Sequence, residues 1–564
     1  MLAACAVSCT SFSPEIETVL KQAGNNRTEL EKVLKHYGKT PADSLKLRAA
    51  EFLITNMPGK RSEYYEAPWN DVATALLRWT SSSDKQMVAN TYRLGKPVIK
   101  EDVKYITADY LINNIELAFK VWREQPWGKY IPFDVFCEEI LPYRLDIEPL
   151  ENWREKALAS FADLNRSFKD DSTITAVEAC SKVNDLLPRF RLDKDFPAMN
   201  YSQLMASTRG PCDAMAALAV FSMRALGIPV TFDFTQLWPN LGHGHTWNTV
   251  RDSTGRHLSF MGAESNPGVP HLGSIALKNK VYRRTFAKRP LSVNDKSFSL
   301  VFQDNIVDVS GEHEGFYKLN IPVKYPPAGQ AGYAYLAGKH FSQWIIVGWG
   351  VIDGDTIRYA PVGSQVQYLP VWYVAGGLQP AGDVFALDKD GKIFSVSNEH
   401  KPFKGPHILS KAAPCIIPMR DFDMGGEGVA FHDIDNYNSQ IEGDEYRRSH
   451  GDMNSFPVDV EKGTNIAWSA PGEWLLYTVE VRDAGEYQLS ISVSTLLEPT
   501  FHLEVDSRNV SGPISVSPTG GWANWTWYPD KPLRIHLTAG THQIKYYLES
   551  GENNLHEMKL EYSK

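Results

Sequence analysis

Residues 209–229 read Arg-Gly-Pro-Cys-Asp-Ala-Met-Ala-Ala-Leu-Ala-Val-Phe-Ser-Met-Arg-Ala-Leu-Gly-Ile-Pro. Gly210 and Pro211 bring the chain in sharply, and proline is tolerated where the first N–H groups of a helix have no partner. Met215, Leu218, Ala219, Ser222, Met223 and Leu226 then recur at helical spacing, which buries one face. Gly227 followed by Pro229 is a stop signal. The stretch therefore predicts one helix with Cys212 in its first turn. At the positive end of a helix dipole a thiol pKa is expected to fall, giving thiolate near neutral pH.

A nucleophilic cysteine needs a base. Downstream comes Gly242-His243-Gly244-His245-Thr246-Trp247-Asn248-Thr249-Val250-Arg251. From Thr246 it alternates as a strand does, with His245 at its start. Asp252–Gly255 is a turn and Arg256–Met261 a second strand. A lone helical Cys is more often a small buried hydrophobe, so the order of the pieces matters. Gly210-x-Cys212 opening a helix, Arg224-Ala-Leu-Gly-Ile-Pro229 closing it and Gly244-His-x-Trp247 on the next strand resemble the core pattern of transglutaminase-like proteins. The resemblance spans residues 195–270.

That resemblance implies an α+β papain-like core in which Cys212 attacks an amide carbonyl and His245 shuttles the proton. The Cys212 backbone N–H and Gln203, which precedes the helix as the papain-type glutamine does, are the implied oxyanion donors. The family usually places an Asp after the His, in a Val-Asp-Pro-like stretch. This chain has Phe260-Met-Gly-Ala-Glu-Ser-Asn-Pro-Gly268 instead. Glu264 is the first choice to orient His245 and Asn266 the second, while Asp252 falls in the hairpin turn and is expected to face solvent.

The chain has 564 residues, enough for three or four domains. Its net charge of -9 is spread without a long acidic or basic run, which disfavours a nucleic-acid partner. The six cysteines (Cys5, Cys9, Cys137, Cys180, Cys212 and Cys415) are too scattered for a disulfide framework. No Cys-x-x-Cys or His-rich spacing suggests zinc, and His313-Glu314 has no second His at the spacing a zinc helix needs. No metal and no cofactor is expected. Leu2-Ala-Ala-Cys5 and Ala6-Val-Ser-Cys9 resemble bacterial lipoprotein cleavage sites. Residues 1–13 are accordingly read as a truncated lipoprotein-type tether, with the protein at the bacterial periplasm or cell surface and its membrane contact through a lipid anchor only. No later segment is long and apolar enough to span a bilayer.

Residues 14–285 are read as a helical region leading into the Cys–His core, with helices at Glu15–Tyr37, Ala42–Asn56, Asp102–Arg123 and Leu150–Asn165. The aromatic run Trp127–Arg144 is expected to pack around that core, and Cys137 and Cys180 to sit buried. From 286 to 423 short runs rich in β formers, including Phe298–Phe302, Phe316–Val323 and Trp344–Val351, predict a β-sandwich.

Residues 424–564 predict another β-sandwich. Asn465-Ile-Ala-Trp468, Gly472-Glu-Trp-Leu-Leu-Tyr477, Ala484-Gly-Glu-Tyr487, Thr519-Gly-Gly-Trp-Ala-Asn-Trp525 and Asn553-Asn-Leu555 follow in an order that resembles family six carbohydrate-binding modules. Where those modules carry Glu-Ala-Glu-x-Tyr, Phe431–Tyr437 has Asp433 and Asp435. The resemblance implies a sugar ring held between Trp468 and Trp522 or Trp525, with Asn554 on its hydroxyls, while Trp474 and Tyr477 belong to the core.

The fold class is thus a multidomain chain: a helical N-terminal region plus an α+β papain-like transglutaminase core, followed by β-sandwich domains. The expected function is a cell-envelope thiol enzyme acting on an amide bond of a peptide or glycopeptide, by hydrolysis or acyl transfer, with glycan targeting by the C-terminal module. The alternative is a non-catalytic glycan-binding lipoprotein that keeps the transglutaminase fold as a scaffold.

Overall fold

The computed structural model describes residues 12–64, 97–192, 198–239, 243–289, 303–327, 332–340, 343–374, 377–396, 398–434, 445–452, 454–455, 458–461 and 463–563. The tether cysteines Cys5 and Cys9, the strand expected at Phe298–Phe302 and Asp435 lie outside these residues. The chain forms two compact units. One comprises Met1–Phe234, His245–Ser274 and Tyr282–Asp308, and the other Thr235–Gly244, Ile275–Val281 and Val309–Lys564.

Three of the long helices expected in the first unit are each broken. Glu15–Tyr37 becomes Pro14–Ala23 and Arg27–Tyr37, because Gly24 takes a left-handed φ of 58° that a helix cannot continue. Asp102–Arg123 becomes Asp102–Tyr105 and Ala108–Glu124, the second capped by the Thr107 side chain on the Tyr110 N–H. Leu150–Asn165 becomes Trp153–Ser160 and Ala162–Asp170, parted at Phe161, whose ring is buried. The aromatic run packs as expected. Phe136 stacks on Trp122 at 4.3 Å, and the Trp127 indole N–H donates to the Gly227 carbonyl at 2.7 Å.

In the second unit, Phe316–Pro322, Thr356–Gly363, Gln343–Asp353, Tyr333–His340, Gln367–Val374, Phe385–Leu387 and Ile393–Ser395 follow one another across a sheet, with Gly377–Pro380 on Gln367–Val374. The C-terminal residues build two sheets. One is centred on Trp474–Val481, Gly540–Ser550 and Thr500–Val505. The other is centred on Asn554–Tyr562, Gly485–Ser494 and Thr526–Leu537. Alternating residues such as Tyr477, Val479, Leu489, Ile491, Ile544, Tyr546 and Met558 fill one apolar core. Tyr477, expected in the core, is fully buried with its hydroxyl on the Met419 carbonyl at 2.7 Å.

The helix read from residues 209–229 runs from Cys212 to Ala225. Gly210 has φ 155°, and a Cβ there would come within 2.9 Å of the Ala214 Cβ. At the other end Gly227 has φ 77°. The Ile228 N–H reaches the Met223 carbonyl and the Gly227 N–H the Arg224 carbonyl, the paired bonds of a glycine-terminated helix. The helix packs on a five-stranded sheet ordered His257–Phe260, His245–Arg251, Val230–Thr235, Tyr282–Arg284 and Ile306–Asp308. A chain of charges ties the sheet to the helices. Arg283 holds Asp233 through two bonds of 2.6 and 2.9 Å, and its guanidinium also meets His257 at 2.9 Å. His257 meets Glu139 at 3.1 Å, and Arg251 reaches the same carboxylate at 2.9 Å.

Burial raises the Glu139 pKa, but hydrogen bonds and charge from His257 and Arg251 outweigh it and hold the carboxyl at about 2. A folded pKa below the unfolded one contributes stability that is present above the unfolded value and lost as pH falls through the folded value. Urea melts of Glu139→Gln at neutral pH are expected to show a loss of about 3 kcal/mol. The wild type should lose that advantage between about pH 4.5 and pH 2. A variant as stable as wild type at neutral pH would show that the network carries no net stability.

Candidate functional site

Cys212 is the first residue of its helix, with Pro211 as the N-cap. The Ala214 and Met215 N–H groups both return to the Pro211 carbonyl, so the thiol is held in the first turn. The sulfur is half-buried and lies 3.8 Å from the Asp213 carboxylate. The expected thiolate is not what these surroundings favour. Burial, and then the Asp213 charge, push the thiol up to about 11, against hydrogen bonds from the backbone of Thr246, Asp213 and Cys212 that favour the thiolate. The helix terminus does act on the sulfur, but desolvation and the adjacent carboxylate outweigh it. Cys137 and Cys180 are buried, as expected, and burial raises both thiols further.

The strand carrying His245 is fixed to the helix through Asn248. Its side-chain amide donates to the Ala216 carbonyl at 3.0 Å, and its oxygen accepts the Gly262 N–H at 3.1 Å. Strand alternation therefore assigns Asn248 to the helix side. It assigns His245 to the side of Trp247, and the two rings stack at 6.0 Å and 27°. The Thr246 main chain hydrogen-bonds the Cys212 sulfur. Thr246, Pro211, Asp213 and Ala214 line a cavity of about 210 Å³ together with Leu145–Ile147, Phe232 and Arg284. Arg284 pairs with Asp146 at 2.5 Å and approaches Asp213 at 4.0 Å.

The remaining implied residues have other tasks in view. Gln203 completes a capping box. Its side-chain oxygen accepts the Asn200 N–H at 2.9 Å, and its own N–H donates to Asn200 at 3.0 Å. The pattern Asn200-x-x-Gln203 carries that signal in sequence. Glu264 is exposed at a turn whose N–H returns to the Met261 carbonyl at 3.1 Å. Asn266 is held by the Ala176–Leu186 helix, meeting Asn184 at 3.1 Å and donating to Asp185 at 2.8 Å. Asp252 accepts the Thr254 and Arg256 N–H groups within its turn. His271, which sequence reasoning did not single out, bonds the Ser259 hydroxyl at 2.8 Å. Gly273 packs against both rings, for a Cβ there would stand 2.8 Å from the Trp247 indole and 2.9 Å from the His271 ring.

In the C-terminal module the implied sugar residues come from loops that hydrogen bonds tie together. Ile466 pairs with Leu555 and Ser494 with Asn554, so Asn554 lies on a strand flanked by both neighbours. The Ser469 hydroxyl donates to the Asn553 carbonyl at 2.6 Å, anchoring the loop that carries Trp468. The Asn554 amide donates to the Trp522 carbonyl at 2.8 Å, and Ser494 donates to the Gly521 carbonyl at 2.6 Å. Trp468 is 53% exposed with a left-handed φ of 51°, and Trp522 is 39% exposed. A bulky residue held in that region is a strained position, of the kind that clusters at ligand sites. Trp525 instead stacks on His556 at 5.0 Å. Trp474 is half-buried beneath Lys545, at 4.9 Å. Asp433 is buried, and its N–H donates to Glu427 at 3.0 Å. Among the described residues no cluster of three or more His, Cys, Asp or Glu side chains is placed to hold a metal ion.

Residues 445–561 match the carbohydrate binding module (family 6), so the chain carries a C-terminal module of that family. Similar solved structures include the C-terminal family 6 module of a marine laminarinase from Zobellia galactanivorans. It is 24% identical over 17% of this chain and 78% of that one, with a TM-score of 0.16. A family 6 module from Cellvibrio mixtus lichenase 5A, in complex with cellotriose, is 24% identical over 18% of this chain and 78% of that one, with a TM-score of 0.16. A β-1,3-glucan-binding module from Bacillus halodurans is 18% identical over 17% and 75%, with a TM-score of 0.15. No curated protein matches the chain.

The raised thiol has a measurable signature. Below its pKa the thiolate fraction grows about tenfold per pH unit. Iodoacetamide labelling of Cys212 should therefore accelerate about tenfold per unit from about pH 7 to pH 9. Asp213→Asn should speed labelling several-fold at about pH 8, because it removes the charge that opposes the thiolate. Peptide mapping by mass spectrometry reads both rates. A rate already on a plateau near neutral pH would reveal a resident thiolate and overturn this account.

Proposed function

We propose that the protein works at the bacterial cell envelope, where its C-terminal module binds a glycan and so brings a transglutaminase-like thiol unit to an amide-bearing peptide or glycopeptide. The observation that carries the proposal is the loop cluster of Trp468, Trp522 and Asn554 within a module of the matched family. Two exposed indoles offer flat apolar faces to the C–H face of a sugar ring. Asn554 donates its amide to the Trp522 carbonyl, which fixes the side chain and leaves its oxygen to accept a sugar hydroxyl. Such a contact set supports weak binding, about micromolar to millimolar. Weak binding suits tethering, which raises the local concentration of the rest of the chain at its polymer.

In the thiol unit, the Cys212–Ala225 helix and its sheet serve as an α+β papain-like core. His245 removes the Cys212 proton, the sulfur attacks the amide carbonyl, and the amine leaves with the proton. Water or a second amine then takes the acyl group from sulfur. The Cys212 N–H and the Gln203 amide nitrogen serve the oxyanion, and Glu264 or Asn266 orients the imidazole. A thiol raised to about 11 makes a general base necessary for this chemistry.

A second reading keeps the same fold as a non-catalytic scaffold for a glycan-binding lipoprotein. One observation favours it: the thiol is held protonated by burial and the Asp213 charge.

Retention on insoluble β-glucan and on a glycan array tests the module. Trp468→Ala should lower retention at least about tenfold while stability changes by less than about 0.5 kcal/mol, as for other exposed sites. Unchanged retention, or a melting temperature lowered by many degrees, removes the sugar-binding reading and leaves Trp468 as packing. Turnover of amide substrates that Cys212→Ala abolishes separates the enzyme from the scaffold.

A further inference from the structure

A second and larger cavity, of about 550 Å³, lies in the first unit and shares Leu145, Asp146, Ile147, Phe232 and Arg284 with the one beside Cys212. Its walls carry Lys60, Arg61, Arg144, Arg224, Arg284 and Lys288 against the carboxylates of Asp146 and Asp304. Several of these charges are already met. Arg144 is bound to Asp102 at 2.6 Å, Arg284 to Asp146 at 2.5 Å, Lys288 to Asp304 at 3.4 Å and Arg61 to Glu63 at 3.2 Å.

Arg224 and Lys60 differ. Arg224 is only 5% exposed, and its Nε donates to the Val230 carbonyl at 2.8 Å. Among the described residues its two terminal nitrogens meet no hydrogen-bond acceptor, and the side chain faces the cavity. A second buried guanidinium stands behind it, for Arg154 donates to the Arg224 carbonyl at 3.0 Å. Lys60 projects over the Phe286 ring at 4.1 Å, and among the described residues no carboxylate pairs with it. The carboxylate acting on both is Glu138, whose oxygens are taken by the Phe286 and Ala287 N–H groups. Desolvation lowers Lys60 to about 8 and Arg224 to about 10. A buried Arg224 and a half-buried Lys60 are stabilised by a bound anion.

We propose that this cavity is a binding site for a carboxylate-bearing ligand, with the anionic group held by Arg224 and Lys60. A guanidinium edge receives a carboxylate through two parallel N–H bonds, and an ammonium group adds a point charge beside it. The volume is that of a small-molecule site. A carboxylate group, with one charge on the group that is held, suits the place better than a phosphate, which puts up to two charges on one group beside Glu138 and Asp146.

Calorimetric titration of the full chain with glutarate, and in parallel with inorganic phosphate, tests the site. Glutarate should bind saturably at one site, more tightly than phosphate, and raise the melting temperature. Lys60→Met, on the cavity wall, should weaken glutarate at least tenfold, as should Arg224→Met if that variant folds. Glutarate binding in Cys212→Ala should match wild type, which separates this site from any failure of the thiol chemistry. No saturable binding of either anion, or wild-type affinity in folded Lys60→Met, overturns the proposal. Tighter binding of phosphate than of glutarate overturns the carboxylate assignment.

Discussion

The first unit depends on the side chain of Asn248. With one amide group it joins the helix at the Ala216 carbonyl, its own strand, and the turn at the Gly262 N–H. The residue is fully buried, so either bond left unmade would cost about 1–3 kcal/mol of desolvation. The bonds set the register of the His245–Arg251 strand along the helix, and that register brings the Thr246 main chain to the Cys212 sulfur. Gly262 is required at the same point, because a Cβ there would come within 2.5 Å of Ala219.

Around that cross-link the unit buries several arginines, handled in two ways. Arg283 and Arg144 are matched to carboxylates through two or more bonds each, and Glu139 shares its charge between Arg251 and His257. Arg154 is met by neutral groups, the Asn114 amide oxygen and the Arg224 carbonyl among them, and burial lowers it to about 9. A buried ion pair is costly to break but adds little over an apolar core. Such networks therefore serve to hold neighbouring helices and strands in one arrangement.

The module solves a different problem, that of presenting flat apolar surface at the end of a sandwich without letting it collapse inward. Ser469 on Asn553, Asn554 on Trp522 and Ser494 on Gly521 clamp three loops by short polar bonds to main-chain carbonyls. The left-handed backbone at Trp468 turns its indole outward. Trp525, in the same Gly-Gly-Trp stretch, stacks one face on His556.

Local signals carried much of this to the reader of the sequence. Gly210, Pro211 and Gly227 delimit the Cys212 helix because proline and left-handed glycine act within a turn or two of themselves. The ordered aromatic and asparagine stretches of the C-terminal residues identify their module in the same way. The breaks at Gly24 and Phe161 were missed because apolar periodicity runs on through them. The pKa of Cys212, the partners of Asn266 and the placing of Arg224 and Lys60 on the wall of one cavity are set by residues far apart in the chain. Desolvation and charge act through space, with a strength that depends on what else is packed nearby. The sequence by itself therefore determined which elements form and which residues bear chemistry, whereas only the tertiary structure decided the state in which those residues are held.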